Sequence, residues 1–263
     1  QTLVFRDKER MKQQVEKAGL RVPRHGRAKS KQEAWAAVER TGYPAIIKPI
    51  DGAGSKDTFR CNDAAEFEAT LVRTAHVAEI SVEEYIDGEE LTYDTVCADG
   101  KILFENVSWY KPKPMILAQN DWISMQNIVL RDITDDLPRP GVELGHAVLQ
   151  AMGFDTGFTH MEWFRTPKGE AVFCEIGGRP PGARLVHAMN YSCDIDLFRG
   201  WAEAACHGRL SQDTTKKYNA SMVLKRAQGQ GTVREHRGLQ ELLRRYGEHV
   251  ACIELTPIGE PKR

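Results

Sequence analysis

Two runs of alternating apolar and polar residues, 158–164 and 171–176, flank the turn-forming Thr166-Pro167-Lys168-Gly169, and this pair constrains the fold more than any other stretch. Alternation at a period of two around such a turn predicts an antiparallel hairpin. His160, Glu162 and Phe164 then share one face of the first strand. If the turn centres between Pro167 and Lys168, Glu162 lies opposite Phe173 and Glu175 is its diagonal neighbour on the same face, about 7–8 Å away across the ladder. Two carboxylates that close repel unless a proton or a cation sits between them. Magnesium suits such a pair, because it takes one or two carboxylates and fills its other positions with water and phosphate oxygens. A slip of one residue in register turns Glu175 to the other face and leaves two solvated glutamates on a polar surface.

Around this hairpin the chain mixes helical and β signals. Asp7 followed by Met11, Val15 and Ala18, with Gly19 beyond, predicts a helix over 7–18. The capping box Ser30-Lys31-Gln32-Glu33 opens a second helix that closes at Gly42. The short apolar run Ala45-Ile46-Ile47-Lys48-Pro49 follows, and 62–74 returns to helix. Strands are predicted at 80–86, 91–98 and 101–107, the last two joined by Asp99-Gly100, the strongest short hairpin signal a sequence offers. Residues 109–126 read as a long loop, 142–152 as a helix ending at Gly153, and further helices start from Ala183 and Asp194. The tail segments 220–227, 231–235, 239–243 and 250–255 read as a small α+β lobe. The class is α+β.

Composition removes several functions. Lys+Arg 36 against Asp+Glu 37 leaves a formal net charge of -1 over 263 residues, so no global basic field points to nucleic acid or an anionic membrane. No apolar run approaches the roughly 18 residues of a membrane span, and the start does not read as a signal peptide. The six cysteines are scattered, with no Cys-x-x-Cys pair to make a zinc ribbon or a redox dithiol. They read as reduced thiols in a cytoplasmic protein. A first residue of Gln1 rather than Met points to a piece of a longer protein.

Four further segments carry chemistry. Gly177-Gly178-Arg179-Pro180-Pro181-Gly182 holds a forked guanidinium in a stiff turn beside Glu175, suited to a phosphate or a substrate carboxylate, though an ordinary loop with a surface arginine fits the same residues. Lys48 ends an apolar run, and the turn-rich 51–56 follows it, where Gly52, Gly54 and Ser55 let backbone N–H groups approach phosphate oxygens. This is neither a Walker A nor a Rossmann motif, and a plain turn explains it equally. The run Val82-Glu83-Glu84-Tyr85-Ile86 reads as an edge strand, able to offer backbone groups to an adenine ring, with Glu90 among the acids beyond it for ribose hydroxyls.

In order and spacing these segments resemble the ATP-grasp superfamily, the fold of biotin carboxylase, D-alanine:D-alanine ligase and the L-amino acid ligases. Arg6-Asp7-Lys8 looks like the family's first phosphate lysine and Tyr43 to Pro49 its second-lysine strand, with 51–56 as the glycine-rich flap. Glu83, Glu84, Tyr85 and Ile86 match the adenine hinge, and Gly88-Glu89-Glu90 with Asp94 the strand after it. Gly157 to Glu162 and Cys174 to Arg179 match the two magnesium-ligand segments. The resemblance runs from about residue 6 to residue 210 and departs at two points. Gly177 stands where the family usually has a ligating Asn, and the α/β domain of roughly a hundred residues that normally precedes the first lysine is missing here.

The resemblance implies two α+β lobes sandwiching ATP: a lead-in helix in 1–20, a small lobe over 21–87, a large lobe over 88–210 and the C-terminal lobe over 211–263. It implies a carboxylate–amine ligase, in which a carboxylate attacks the γ-phosphate of ATP and an amine displaces phosphate from the acyl phosphate. Lys8 and Lys48 would bind phosphates, with Gly52, Gly54, Ser55, the hinge and Glu90 around the nucleotide. Glu162 and Glu175 would hold one or two magnesium ions, or manganese in their place. Arg179, with Lys48, would be catalytic. The substrates would be small molecules, amino acids serving as acid and amine, and an N-terminal domain, a partner chain or a homodimer would complete the site. Alternatives on the same fold are a biotin-carboxylase-like carboxylase, a small-molecule kinase and a non-catalytic ATP-binding module.

Overall fold

Asp7 opens the first helix, α1 (Lys8–Lys17), by accepting from the backbone N–H groups of Glu9 and Arg10. The computed structural model of the chain describes residues 3–52, 57–120 and 122–261. After α1 come β1 (His25–Ala28), α2 (Lys31–Thr41), β2 (Ala45–Pro49), β3 (Phe59–Cys61), α3 (Ala64–Arg73) and β4 (Ile80–Glu84). Ser30 caps α2 through the N–H of Glu33, while the Glu33 carboxylate reaches back to the N–H of Lys29. The strands form a four-stranded antiparallel sheet in the order β1-β4-β2-β3. Its core joins Ala34 and Val38 of α2 and Phe67 of α3 to Ile47 and Val82. The expectation that 82–86 is a sheet edge is corrected here: β4 is interior, paired with β1 and β2, and buried on both faces, with Ile80 and Val82 on one and Ser81 and Glu83 on the other.

The second sheet is six-stranded and antiparallel. Its elements are β5 (Glu89–Ala98), β6 (Lys101–Lys111), α4 (Pro114–Gln119), β7 (Met125–Val129), α5 (Arg139–Met152), β8 (Gly157–Arg165), β9 (Ala171–Gly177), α6 (Leu185–Cys193), α7 (Leu197–His207) and β10 (Ala220–Leu224). They pair in the order β10-β7-β6-β5-β8-β9. One face is an apolar core in which Leu91, Tyr93, Met161, Trp163 and Phe173 meet Met11 and Val15 of α1 and Val148 of α5. The other face divides in two. Val96, Phe104 and Phe158 pack under α6 and α7, and further along the same strands polar residues take over.

The supposed loop 109–126 is also corrected. It holds the end of β6, the helix α4 and the start of β7. Tyr110 and Lys111 pair with Asn127 and Gln126, and the strand end is fixed where Trp109 Nε1 and Lys111 Nζ both donate to Glu89 Oε2, at 2.9 and 3.1 Å. Pro114 then starts α4, where its missing N–H costs nothing. Among the described residues the tail does not build a sheet of its own: β10 extends the large sheet, α8 (Leu239–Tyr246) follows, and 231–235 joins the chain end through a bridge between Thr232 and Pro261 and the backbone hydrogen bonds of Val233 with Gly259 and Glu260. Among the described residues none beyond Ala204 is buried.

Helix α5 lies unusually close to the sheet. A Cβ placed on Gly145 would run into the Tyr93 ring, and one on Gly141 into the Trp163 indole. Gly145→Ala gains about 1 kcal/mol of helix propensity but overpacks a site where such insertions cost about 1–3 kcal/mol. Thermal unfolding should therefore show a lower Tm for Gly145→Ala than for the native chain. A rise in Tm would mean that α5 has slack against the sheet.

Candidate active site

The two sheets face one another across a cleft of about 640 Å³, and the charged side chains of both converge on it. Lys8 and Lys12 stand one turn apart on α1, on the face that carries Met11 and Val15. Lys8 is bound to the small sheet: its N–H donates to Ile50 O at 3.2 Å and its Nζ to Gly52 O at 2.6 Å. The same Nζ lies 3.3 Å from Glu175 Oε2 on the large sheet.

Glu83 is the electrostatic centre of the small lobe. Its Oε1 accepts from Lys12 Nζ at 2.9 Å and from Ser81 Oγ at 2.8 Å, and its Oε2 pairs with Lys48 Nζ at 3.0 Å. Lys12 is 0% exposed and Glu83 3%. Burial alone would raise the Glu83 carboxyl, but the two ammonium groups outweigh it and hold its pKa well below the ordinary value. Burial likewise works against the charge on Lys48, and the Glu83 and Glu175 carboxylates overcome it and hold its pKa above the usual lysine value. For Lys12 burial dominates, and the nearby Lys48 charge adds to it, so its pKa falls despite Glu83.

On the large sheet Glu162 faces Glu175 directly rather than diagonally. The hairpin turn sits one position later than expected, and a bulge between Glu162 and Trp163 leaves Cys174 as an extra residue. Two one-residue shifts restore the parity, so both carboxylates still face the cleft. Beside them His160 Nδ1 is 2.6 Å from Asp94 Oδ1 and its Nε2 is 3.6 Å from Glu162 Oε1. Burial opposes a charge on His160, yet Asp94 pushes its pKa up to about 10. Burial also raises Glu162, and His160 more than offsets it. Glu90, facing the same cleft, is pushed up to about 8 by burial and by the Glu162 charge. The polar row continues inward: Asn106 Nδ2 donates to Asp94 Oδ2 at 3.4 Å, and Lys216 Nζ donates to Asn106 Oδ1 at 2.6 Å.

Lys8, Lys48, Gly52, Glu83, Glu84, Tyr85, Ile86, Glu90, Glu162, Glu175 and Arg179 all line this one cleft. Their side chains do not all point where the resemblance implied. Glu83 is spent on the two lysines, and Glu84 is held by Arg21 Nη2 at 3.1 Å and Arg24 Nε at 3.3 Å. The hinge can therefore meet a base only through backbone and through Tyr85 and Ile86. Arg179 is exposed, its Nη1 donating to Pro180 O at 2.8 Å. Gly54 and Ser55, with the rest of 53–56, lie outside the described residues, as does Asp121 in 109–126.

Lys12 escaped the sequence reading, although a lysine in register with Met11 and Val15 was a signal of a buried, paired cation. Tyr110, hidden inside the supposed loop, and Asn127, just beyond it, also line the cleft. The metal that the resemblance implies fits the donor set. Among the described residues no three His, Cys, Asp or Glu side chains make a metal cluster of their own. Two opposed carboxylates suit a hard cation that completes its shell with phosphate oxygens and water.

A family model described as an ATP-grasp domain matches residues 5–108. The L-arginine-specific L-amino acid ligase of Bacillus subtilis is 31% identical over 173 residues, covering 62% of this chain and 40% of that protein. Among solved structures, the L-amino acid ligase from Bacillus licheniformis matches with a TM-score of 0.75 at 18% identity, over 98% of this chain and 63% of that one. The biotin carboxylase domain of the Hydrogenobacter thermophilus 2-oxoglutarate carboxylase, solved with MgADP and bicarbonate, matches with a TM-score of 0.62 at 18% identity, over 88% of this chain and 54% of that one. At such identities the structural matches establish the fold. The chain spans between 40% and 63% of the length of these relatives.

Two outcomes follow from the charges. Glu83→Gln leaves Lys12 and Lys48 facing each other and should cost about 3–5 kcal/mol in urea unfolding, whereas Lys12→Met leaves a neutral Glu83–Lys48 pair and should cost less. Adding Lys12→Met to Glu83→Gln should recover part of the loss; strictly additive losses would contradict the shared carboxylate. Burial also pushes Lys216 from 10.5 down to about 8. Between those pH values the unfolded chain holds a proton that the folded chain has released, so this group adds stability as pH rises. The native-minus-Lys216→Met difference in stability should grow from pH 8 to pH 10.5, and a flat difference would contradict a desolvated ammonium.

Proposed function

Because the chain belongs to the ATP-grasp superfamily, we propose that it binds ATP between its two sheets and joins a small carboxylic acid to an amine through an acyl phosphate. The observation that carries this reading is the meeting of two lysines with two carboxylates across one cleft: Lys8 and Lys48 from one side, Glu162 and Glu175 from the other. ATP fits this arrangement in two respects. Its phosphates take over the lysines that Glu83 and Glu175 now neutralise, and its base has a slot beside Tyr85 and Ile86. Glu90, which lines the same cleft, would accept from ribose hydroxyls.

Glu162 and Glu175 are the residues that would hold magnesium, which would there supply positive charge to offset that of the phosphates. Lys8 and Lys48 orient the γ-phosphate toward the acid. A carboxylate oxygen attacks that phosphorus, ADP leaves, and an acyl phosphate results. The amine nitrogen then attacks the acyl carbon, the carbon–oxygen bond to phosphate breaks, and the amine gives up a proton. Arg179, exposed at the cleft mouth, can turn from Pro180 O to the oxyanion that forms in the second step. The relatives named as amino acid ligases support amino acids as substrates.

The test is ADP release by the full-length protein with magnesium, ATP and amino acids offered singly and in pairs. Native protein should need both an acid and an amine. Glu175→Gln should abolish turnover with the fold intact, and Arg179→Lys, which keeps the charge but loses the fork, should lower turnover far more than ATP affinity. ADP release that never needs an amine would contradict the ligase reading in favour of a kinase.

A further inference from the structure

Among the described residues, Asn127 is the one in the cleft whose buried side chain has an acceptor with nothing to accept from. It sits in β7, 2% exposed, and its Oδ1 has no hydrogen-bond partner. Natural structures rarely leave such a group bare, since an unmet buried acceptor costs about 1–3 kcal/mol. Its neighbour across the β6–β7 ladder is Tyr110, 8% exposed. Tyr110, Asn127, Glu162 and Arg179 line the same cleft. The orphan oxygen therefore belongs to a residue that borders the same cleft as the reacting groups.

The walls around it are apolar. Met115 and Leu117 of α4 and Met125 of β7 line the same cleft. Helix α4 is fixed in place because Arg226 Nη1 donates to Leu117 O at 2.9 Å and to Asn120 O at 3.0 Å. That guanidinium is thereby spent on backbone and is not offered to an anion. A neutral acceptor set in an apolar wall suits an uncharged N–H donor better than an ammonium ion, which would require a carboxylate. A nucleophilic amine must be uncharged to react, and an acceptor that takes one of its N–H groups leaves the nitrogen lone pair free to point at the acyl carbon.

We infer that Asn127 anchors the attacking amine through Oδ1, and that the amine substrate carries an apolar side chain lying against Met115, Leu117 and Met125. This rests on the ligase reading above, and it adds the residue that holds the amine and the chemical class of that amine.

The experiment separates the two claims by using hydroxylamine, a small nucleophile that traps an acyl phosphate as a hydroxamate without filling the apolar wall. Full-length native protein, Asn127→Leu and Asn127→Asp are given magnesium, ATP and the proteinogenic L-amino acids as acids, with hydroxylamine in one arm. In the other arm L-leucine, L-methionine, L-aspartate and L-lysine are the amines. Hydroxamate should form equally in all three proteins. The KM for L-leucine or L-methionine should rise about tenfold or more in Asn127→Leu and stay near native in Asn127→Asp, which keeps an acceptor. L-Aspartate and L-lysine should be poor amines throughout. Should Asn127→Leu not fold, Asn127→Ala removes the same oxygen without adding bulk. Hydroxamate with an unchanged amine KM in the Leu or Ala variant, or a preference for the charged amines, overturns the inference and leaves the ligase reading standing. No hydroxamate from native protein overturns both.

Discussion

Glu83 holds the molecule together as a site. It is a single carboxylate buried between Lys12 and Lys48, with Ser81 on one of its oxygens, and each of the three charges depends on the others for its tolerance of burial. Through Lys12 this carboxylate ties α1 to the small sheet, while Met11 and Val15 on the same helix are packed into the large-sheet core. One short helix thus belongs to both lobes. The second tie is Lys8, fixed by Gly52 O on one side and Glu175 on the other. The width of the cleft at the phosphate end is accordingly set by ion pairs, whose strength changes when a polyanion enters.

The large sheet meets this arrangement with a face that changes character along its strands. Tyr93 and Leu91 turn into the core that α1 and α5 cover, while Thr92 and Asp94 turn to the other side. There Asp94 serves His160, Thr92 and Asn106 at once. Such a network is rigid when every member is satisfied. It supports Glu162 from behind through His160, and it ends at Lys216, brought in from the chain beyond α7. Glu162 is thus held by a buried polar row rather than by solvent.

Local signals were legible in the sequence, and pairings across long distances were much less so. The caps at Asp7, Ser30 and Gly153, the Asp99-Gly100 turn and the hairpin bearing Glu162 and Glu175 are set by neighbours within a few residues, and their positions can be read directly. The face shared by the two glutamates was also legible, although their register was not, because a bulge at Cys174 has no local signature. Strand β4 looked like an edge because its charges, Glu83 and Glu84, are in fact partners of Lys12, Lys48, Arg21 and Arg24 from distant segments. Lys12 was overlooked for the same reason: a helical lysine reads as solvated until its carboxylate, 71 residues away, is in place. In 109–126 two prolines and mixed polarity masked a short helix and a strand end that the β5 and β7 pairings reveal.

The chemistry proposed for the cleft requires an oxygen to move from the acid to phosphorus, because the bond broken in the second step lies between the acyl carbon and that oxygen. Full-length protein supplied with an acid labelled with oxygen-18 in its carboxylate, an amine, magnesium and ATP therefore gives a direct reading by mass spectrometry of the phosphate released. The account predicts one labelled oxygen in each phosphate and its loss from the amide. Unlabelled phosphate, with turnover proceeding, would contradict an acyl phosphate formed between Lys8, Lys48 and the Glu162–Glu175 pair.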